Sequence, residues 1–358
     1  MDRDAAGPAP VIGLTGALRV FAHDGATCAT TPRGLVCWGD NLFGQVRMPP
    51  TLDYHGQPEP RIGADGQLAT TGALGPQGAC VIRNDGGVAC WGEIGSGMDV
   101  EEATRFGVIP VAEQGKNPIS GRRTTTARRV PGIDGAVQVT FGIEHLCALM
   151  ADRTVTCMGS NRAGQLGRVE HDLLAFHPAG PVAGLREVVQ LEAGLAATCA
   201  RTASGEVWCW GSNYFGHLGV RDVDKLIPRL VFVTSPDDPD DRYWPRPLRV
   251  EGLPPVWLLS VGATHACAIT QEGAVYCWGS NAAGQLGDGT TVRRALPVQM
   301  KGGDHAIDVA TSTYGPESHT CVLFEGDRVQ CVGRNESGQL GRPGDPRALT
   351  LGDVEGMR

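Results

Sequence analysis

Cys267-Ala268-Ile269-Thr270-Gln271-Glu272-Gly273-Ala274-Val275-Tyr276-Cys277-Trp278-Gly279-Ser280-Asn281, closing on Gly284-Gln285-Leu286-Gly287, is the clearest of six near-copies of one stretch. The copies begin at Cys28, Cys80, Cys147, Cys199, Cys267 and Cys321. Each has a second cysteine, at Cys37, Cys90, Cys157, Cys209, Cys277 and Cys331, so the pairs use all 12 cysteines. Glu272 is the midpoint between Cys267 and Cys277, so a turn at Gln271-Glu272-Gly273 makes the two cysteines face each other across a hairpin. A three-residue loop ending in a left-handed glycine is a common hairpin connection. Gly86, Gly205 and Gly273 stand four residues before the second cysteine, whereas Arg153 and Asp327 hold that place in the third and sixth copies. The first copy is one residue shorter, with Pro32-Arg33 at its turn.

Facing cysteines on adjacent antiparallel strands lie about 4.5–5.5 Å apart at Cα, within reach of a disulfide. The expectation is therefore six bridges, each inside its own hairpin, against the alternatives of free core thiols or metal ligands. A ten-residue separation without any close Cys-x-x-Cys is poor for zinc. Each small loop, if bridged, stabilises by about 2.5–3 kcal/mol on the chain-entropy estimate.

Working outward, an alternating segment precedes each hairpin: Val137-Gln138-Val139 before Cys147, Val188-Val189-Gln190-Leu191 before Cys199, Leu258-Leu259-Ser260-Val261 before Cys267. A Pro-Val segment such as Pro181-Val182 comes before that, giving four strand candidates per copy. Successive second cysteines are 53, 67, 52, 68 and 54 residues apart, a period near 53 with two insertions. Four short strands per repeat at such a period indicate an all-β fold, a β-propeller of four-stranded blades. Six repeats are visible, which admits six or seven blades, because Pro346 to Val354 repeats the Pro-Val segment already present near the N-terminus. The whole of 1–358 is expected to be one such domain, with insertions near 93–129 and 221–246.

Composition agrees. The chain has 41% hydrophobic residues, 51 glycines and 24 prolines, a mixture suited to many strands and turns. With 31 basic against 39 acidic residues the net charge is −8, which disfavours a nucleic-acid partner. No stretch has the length of about 20 apolar residues that a membrane span needs. The start, Met-Asp-Arg-Asp, lacks the pattern of a secretory leader. Paired cysteines nonetheless point to an oxidising compartment, secreted, periplasmic or at the cell surface, with a leader already removed.

After the second cysteine comes Trp-Gly-Ser-Asn-x-x-Gly-Gln-Leu-Gly or a variant; the second copy departs from it at Trp91-Gly92-Glu93-Ile94-Gly95. Together with Gly-x-x-His-x-Cys-Ala, this pattern resembles the repeat of the regulator of chromosome condensation family over nearly the whole chain. The resemblance implies a β-propeller, usually of seven blades, and is closest to a secreted bacterial branch in which paired cysteines staple the blades. Some secreted relatives cap another protein, β-lactamases among them, but no residue here selects that target.

No nucleophile elbow, phosphate-binding loop or His-Glu-x-x-His motif is present, so no cofactor, metal or catalytic residue is expected. His145, His265 and His319 recur two residues before a cysteine in three separate copies, which suits a hydrogen-bonding scaffold better than a metal site. Asp237-Asp238-Pro239-Asp240-Asp241 lacks the spaced ligands of a calcium loop. Arg122, Arg123, Asp237, Asp238, Tyr243 and Trp244 are the candidate contacts for a protein partner, because they lie in the insertions and join charge to aromatic surface. The expected function is a non-enzymatic, disulfide-stapled extracellular scaffold for an unidentified protein. The alternatives are an intracellular exchange-factor or chromatin-associated propeller, and a secreted enzyme with a central-channel site. A closed propeller has no compulsory edge to pair, which leaves the oligomeric state open.

Overall fold

The computed structural model describes residues 14–16, 19–23, 26–31, 34–39, 55–61, 71–75, 78–92, 124–169, 177–221, 232–233, 242–313, 318–326 and 328–354. The chain divides into two compact units, one formed by residues 11–162 and 168–187, the other by 1–10, 163–167 and 188–358.

The first unit holds three antiparallel sheets. Arg19–His23 (β1), Ala26–Thr31 (β2), Gly34–Gly39 (β3) and His55–Arg61 (β4) make one; Thr71–Leu74 (β5), Gly78–Ile82 (β6), Val88–Gly92 (β7) and Thr124–Arg129 (β8) the next; Ala136–Phe141 (β9), His145–Met150 (β10), Val155–Gly159 (β11) and His177–Pro181 (β12) the third. The second unit also holds three. Val188–Ala193 (β13), Ala197–Thr202 (β14), Val207–Ser212 (β15) and Arg242–Arg249 (β17) form the fourth sheet, and Phe232–Val233 (β16) adds a fifth strand at its outer edge. Val256–Val261 (β18), His265–Thr270 (β19), Val275–Gly279 (β20) and Arg294–Gln299 (β21) form the fifth sheet, and Ala306–Thr311 (β22), His319–Phe324 (β23), Val329–Arg334 (β24) and Arg347–Asp353 (β25) the sixth.

The four-strand repeat is as read from sequence, but its phase differs. The Pro-Val strand closes the sheet before it: β12 pairs with β11, β21 with β20 and β25 with β24. The C-terminal copy of that segment therefore supplies the outer strand of the sixth sheet. The ends of both insertions are also sheet: 124–129 is β8, and 242–246 belongs to β17.

The hairpins have the expected turn. Thr270 N–H donates to Ala274 O and Gly273 N–H to Thr270 O, both at 2.9 Å, leaving a three-residue loop with Gly273 at φ 83°. Gly86 and Gly205 take φ 74° and 86°, and Arg153 adopts φ 65° in the same place. Arg153 Nη1 donates to Glu187 Oε2 at 2.6 Å on the surface. Counting outward from the Thr270 to Ala274 bond, Cys267 and Cys277 fall at a non-hydrogen-bonded pair, where side chains approach most closely. All six pairs are disulfides with Cα atoms 4.1 Å apart, tighter than the expected range, and no cysteine is free.

The turns also join neighbouring sheets. Gly86 O accepts from Gly135 and Ala136, Gly205 O from Val256 and Gly273 O from Ala306, each between 2.9 and 3.0 Å. Between those sheets lie the cores. Cys267 and Cys277 pack with Ala306, Val309, Val322, Phe324 and Val332 of the sixth sheet, and Cys199 and Cys209 with Val256, Leu259, Val261 and Trp278 of the fifth. In the first unit Cys80 and Cys90 meet Ile133, Val139 and Ala148 in the same fashion. These three bridges each lie within one sheet while their sulfurs fill the joint with the next. To keep both Val256 and Leu259 in such a joint, β18 slips register between Val256 and Leu258, and this bulge turns Trp257 outward to 41% exposure.

The glycine after Cys-Trp in the fourth and fifth sheets is set by crowding. Gly279 has φ 108°, and a Cβ there would lie 2.8 Å from both His265 Cα and Thr264 O. Gly302, at φ 76°, has open space around the same position. Gly279→Ala should therefore cost about 3 kcal/mol, from strained backbone plus a main-chain clash, and Gly302→Ala only about 1 kcal/mol. Urea midpoints check this; equal losses would mean that backbone conformation alone decides.

Candidate interaction surface

In the fourth, fifth and sixth sheets the loop after the second cysteine is built around its asparagine. Asn281 Oδ1 accepts Leu286 N–H at 3.0 Å, while its Nδ2 donates to Asp288 Oδ1, Thr290 O and Val292 O. Asn213 and Asn335 accept Leu218 and Leu340 N–H in the same way. This pulls each leucine under the loop, and Leu166, Leu218, Leu286 and Leu340 are fully buried. Asp288 is buried too. Desolvation opposes its charge, but bonds from Thr290, Arg294 and Asn281 outweigh that and hold its carboxyl below the usual range.

The loop then receives groups from the following sheet. Trp278 Nε1 donates to His217 O at 2.7 Å and Trp210 Nε1 to Gln165 O at 2.9 Å. The sixth sheet has Val332 in place of the tryptophan, and there Thr320 Oγ1 donates to Gln285 O at 2.8 Å. Because that spends the single hydroxyl proton, His265 Nε2, 2.8 Å from Thr320 Oγ1, must be the donor in its contact. His217 Nε2, 2.9 Å from Ala263 O, must likewise carry its proton. Both rings are thus neutral with a buried Nδ1 that has no hydrogen-bond partner. Burial pushes His145 and His265 down to about 3 and His217 to about 4; for His265, His217 and His319 add to the effect. These histidines are packing and hydrogen-bonding groups, and among the described residues no three His, Cys, Asp or Glu are placed to hold a metal.

In the second unit, loops of the fourth, fifth and sixth sheets surround an open pocket of about 780 Å³. Its apolar wall includes Leu195, Phe215, Ala282 and Pro346. Tyr214 and His217 hold the Phe215 ring by edge contacts, at centroid distances of 4.8 and 5.4 Å. Arg334 and Arg347 line the pocket beside Glu336, which Arg334 binds. At its floor the Thr264 and Ser318 hydroxyls are 2.8 Å apart.

Of the residues chosen from the sequence as partner contacts, the two described ones, Tyr243 and Trp244, do not line this pocket. Arg122, Arg123, Asp237 and Asp238 lie outside the described residues. Tyr243 is in β17, its backbone paired with Ser212 and Phe232. Trp244 is a correction: it is 2% exposed and packs with Leu218, Val250 and Trp278, because the end of the insertion is a core strand rather than a surface loop. Arg129, six residues beyond Arg123, is bound to Asp134 and Asp85. A signal for the pocket was nonetheless present: Tyr214-Phe215 fills the two variable places of its loop, where the neighbouring copies have Ala282-Ala283 and Glu336-Ser337.

Comparison with known proteins places this geometry. The regulator of chromosome condensation (RCC1) repeat matches residues 204–269 and 272–323, and a second form of the same repeat matches 136–165, 188–216 and 258–285. The ultraviolet-B receptor UVR8 of Arabidopsis thaliana is 27% identical over 241 residues, 57% of this chain and 54% of that protein. The probable E3 ubiquitin-protein ligase HERC4 of Mus musculus is 29% identical over 208 residues, 57% of this chain but 18% of HERC4. The chain thus spans about half the length of UVR8 and under a fifth of HERC4. Among solved structures, Prp20p from Saccharomyces cerevisiae matches with a TM-score of 0.72 at 19% identity, covering 94% of this chain and 76% of that one. Human WBSCR16 matches at 0.69 with 18% identity, covering 94% and 80%. No helix of the described residues is long and apolar enough to cross a membrane. With RCC1 repeats matched in sequence over 136–165 and 188–323 and the β-propeller fold matched in structure, the chain is a β-propeller that carries RCC1-like repeats, its six cysteine hairpins closed by disulfides.

Proposed function

We propose that residues 1–358 form a single propeller domain that acts outside the reducing cell as a non-enzymatic scaffold for a protein partner. The observation that carries the reading is the loop face of the second unit, where rigid, internally bonded loops from three consecutive sheets surround a pocket with aromatic and cationic walls. Aromatic residues and arginine are the types enriched at protein interfaces, and loops fixed by internal asparagine hydrogen bonds bind with little loss of conformational entropy. Among structural neighbours, Prp20p has binding properties toward Gsp1p and histones and is seen bound to Kap60, which supports a protein-binding use of the fold. The six bridges support an oxidising compartment, since cytosolic thiols are kept reduced.

Two measurements test the two halves. Alkylating thiols in intact source cells before lysis should add no label to this protein; twelve labelled cysteines would place it in a reducing compartment. The immobilised oxidised protein should retain a partner from the surface or secreted fraction, and Phe215→Asp should lose it while keeping its urea midpoint. Equal retention by the variant would remove the loop face from the interaction.

A further inference from the structure

We propose that the loop-face pocket takes a carboxylate of the partner polypeptide, from an acidic side chain or a C-terminus, seated on Arg347 with an apolar side chain of the partner against Phe215, Leu195 and Pro346. This deepens, and rests on, the reading of that face as a protein-binding surface.

Arg334 and Arg347 are direct cross-strand partners where β24 and β25 open onto the pocket. Like charges opposite each other on an antiparallel pair are destabilising, so the arrangement works against the fold. Glu336 answers only one of them: Arg334 Nη2 binds its carboxylate. Arg347 is exposed, and among the described residues no carboxylate is bound to it. The charged lining of the pocket is thus two cations against one anion, on a chain whose net charge is −8. A guanidinium presents a planar fork of donors that matches a carboxylate bidentately, which a point charge does not.

The rest of the lining sets what accompanies the anion. The Phe215 ring is held by T-shaped contacts with Tyr214 and His217, so it offers a fixed apolar surface. Leu195 and Pro346 continue that wall, and Gln285 is already committed, its Oε1 accepting Ala283 N–H at 3.0 Å. The volume of about 780 Å³ lies in the range of pockets that bury a small ligand, room for one or two side chains of a partner. Carboxylate and apolar group on adjacent residues is the chemistry these walls complement.

The test is a calorimetric titration of the oxidised full chain with acetyl-Phe-Glu, a free acid, and with acetyl-Phe-Gln-amide, its uncharged counterpart. The acid should bind with millimolar affinity that weakens with added salt, and the amide at least about tenfold more weakly, as expected for loss of a hydrogen bond to a charged group. Arg347→Gln should lose the acid by about the same factor while raising the urea midpoint, since it removes the opposed charge; Arg347→Lys should recover part of the binding. Equal binding of acid and amide, undiminished binding by Arg347→Gln, or no heat at all would overturn the proposal. If the parent protein retains its partner and Arg347→Gln retains it equally, the scaffold reading stands and the carboxylate site falls. If the parent retains no partner, the scaffold reading falls whatever the dipeptides show.

Discussion

Acidifying the oxidised protein from about pH 7 to about pH 4 is expected to unfold it, with the urea midpoint falling once the pH passes below about 6.5. The cause is three of the buried imidazoles. His145 and His265 are held at about 3 and His217 at about 4, against 6.5 for the free group, chiefly by burial. Above pH 6.5 neither the folded nor the unfolded chain protonates them, and they contribute no pH dependence. Below it the unfolded chain takes up protons that the folded chain refuses. Stability then falls by about 1.4 kcal/mol per pH unit for each histidine, until the folded values are reached and the slope fades. Three together give roughly 4 kcal/mol per unit, or about 10 kcal/mol by pH 4, comparable with the whole stability of an ordinary domain. His265→Gln should reduce the slope by about one proton's worth, whatever it does to the midpoint itself. A urea midpoint that stays flat between neutrality and about pH 5 would contradict the neutral, buried state of these rings.

Reduction of the bridges is the second large effect. Each closes a hairpin with a separation of 9 or 10 residues, for which the chain-entropy estimate is about 2.7 kcal/mol. Six would sum to about 16 kcal/mol if independent, an upper figure because neighbouring joints are coupled. All the cysteines except Cys321, which is partly exposed, are buried at 0–2% exposure, so reductant alone should act slowly on most bridges of the folded protein and quickly once urea opens it. The reduced chain should then fail to regain the native state on removal of urea while reductant remains. Replacing one pair, Cys267→Ala with Cys277→Ala, should cost about 3 kcal/mol or more, because it also empties part of the joint with Ala306, Val309 and Phe324. The same urea midpoint for oxidised and reduced protein would falsify the view that the bridges hold the fold.

Local pattern was enough to establish the hairpins, the pairing of the cysteines and the four-strand repeat. Those features depend on contacts a few residues apart: a glycine four places before the second cysteine sets the turn, the turn sets the register, and the register brings Cys267 to Cys277. The asparagine loops are local in the same sense, since Asn281 bonds to Leu286, Thr290 and Val292 within its own segment. Contacts between distant segments were decided by tertiary structure. Whether a Pro-Val strand joins the hairpin before it or after it is a choice between two equally close neighbours in sequence, and only pairing across the sheet resolves it. Trp244 looked like surface because charge surrounds it, yet it fills a core assembled from Leu218, Val250 and Trp278. The pocket brings Phe215 together with Arg334 and Arg347, residues more than a hundred positions apart, each unremarkable alone. Sequence determined what lies within one repeat, where backbone bonding is local; what lies between repeats depends on how side chains from separate sheets share one volume, and no spacing along the chain encodes that.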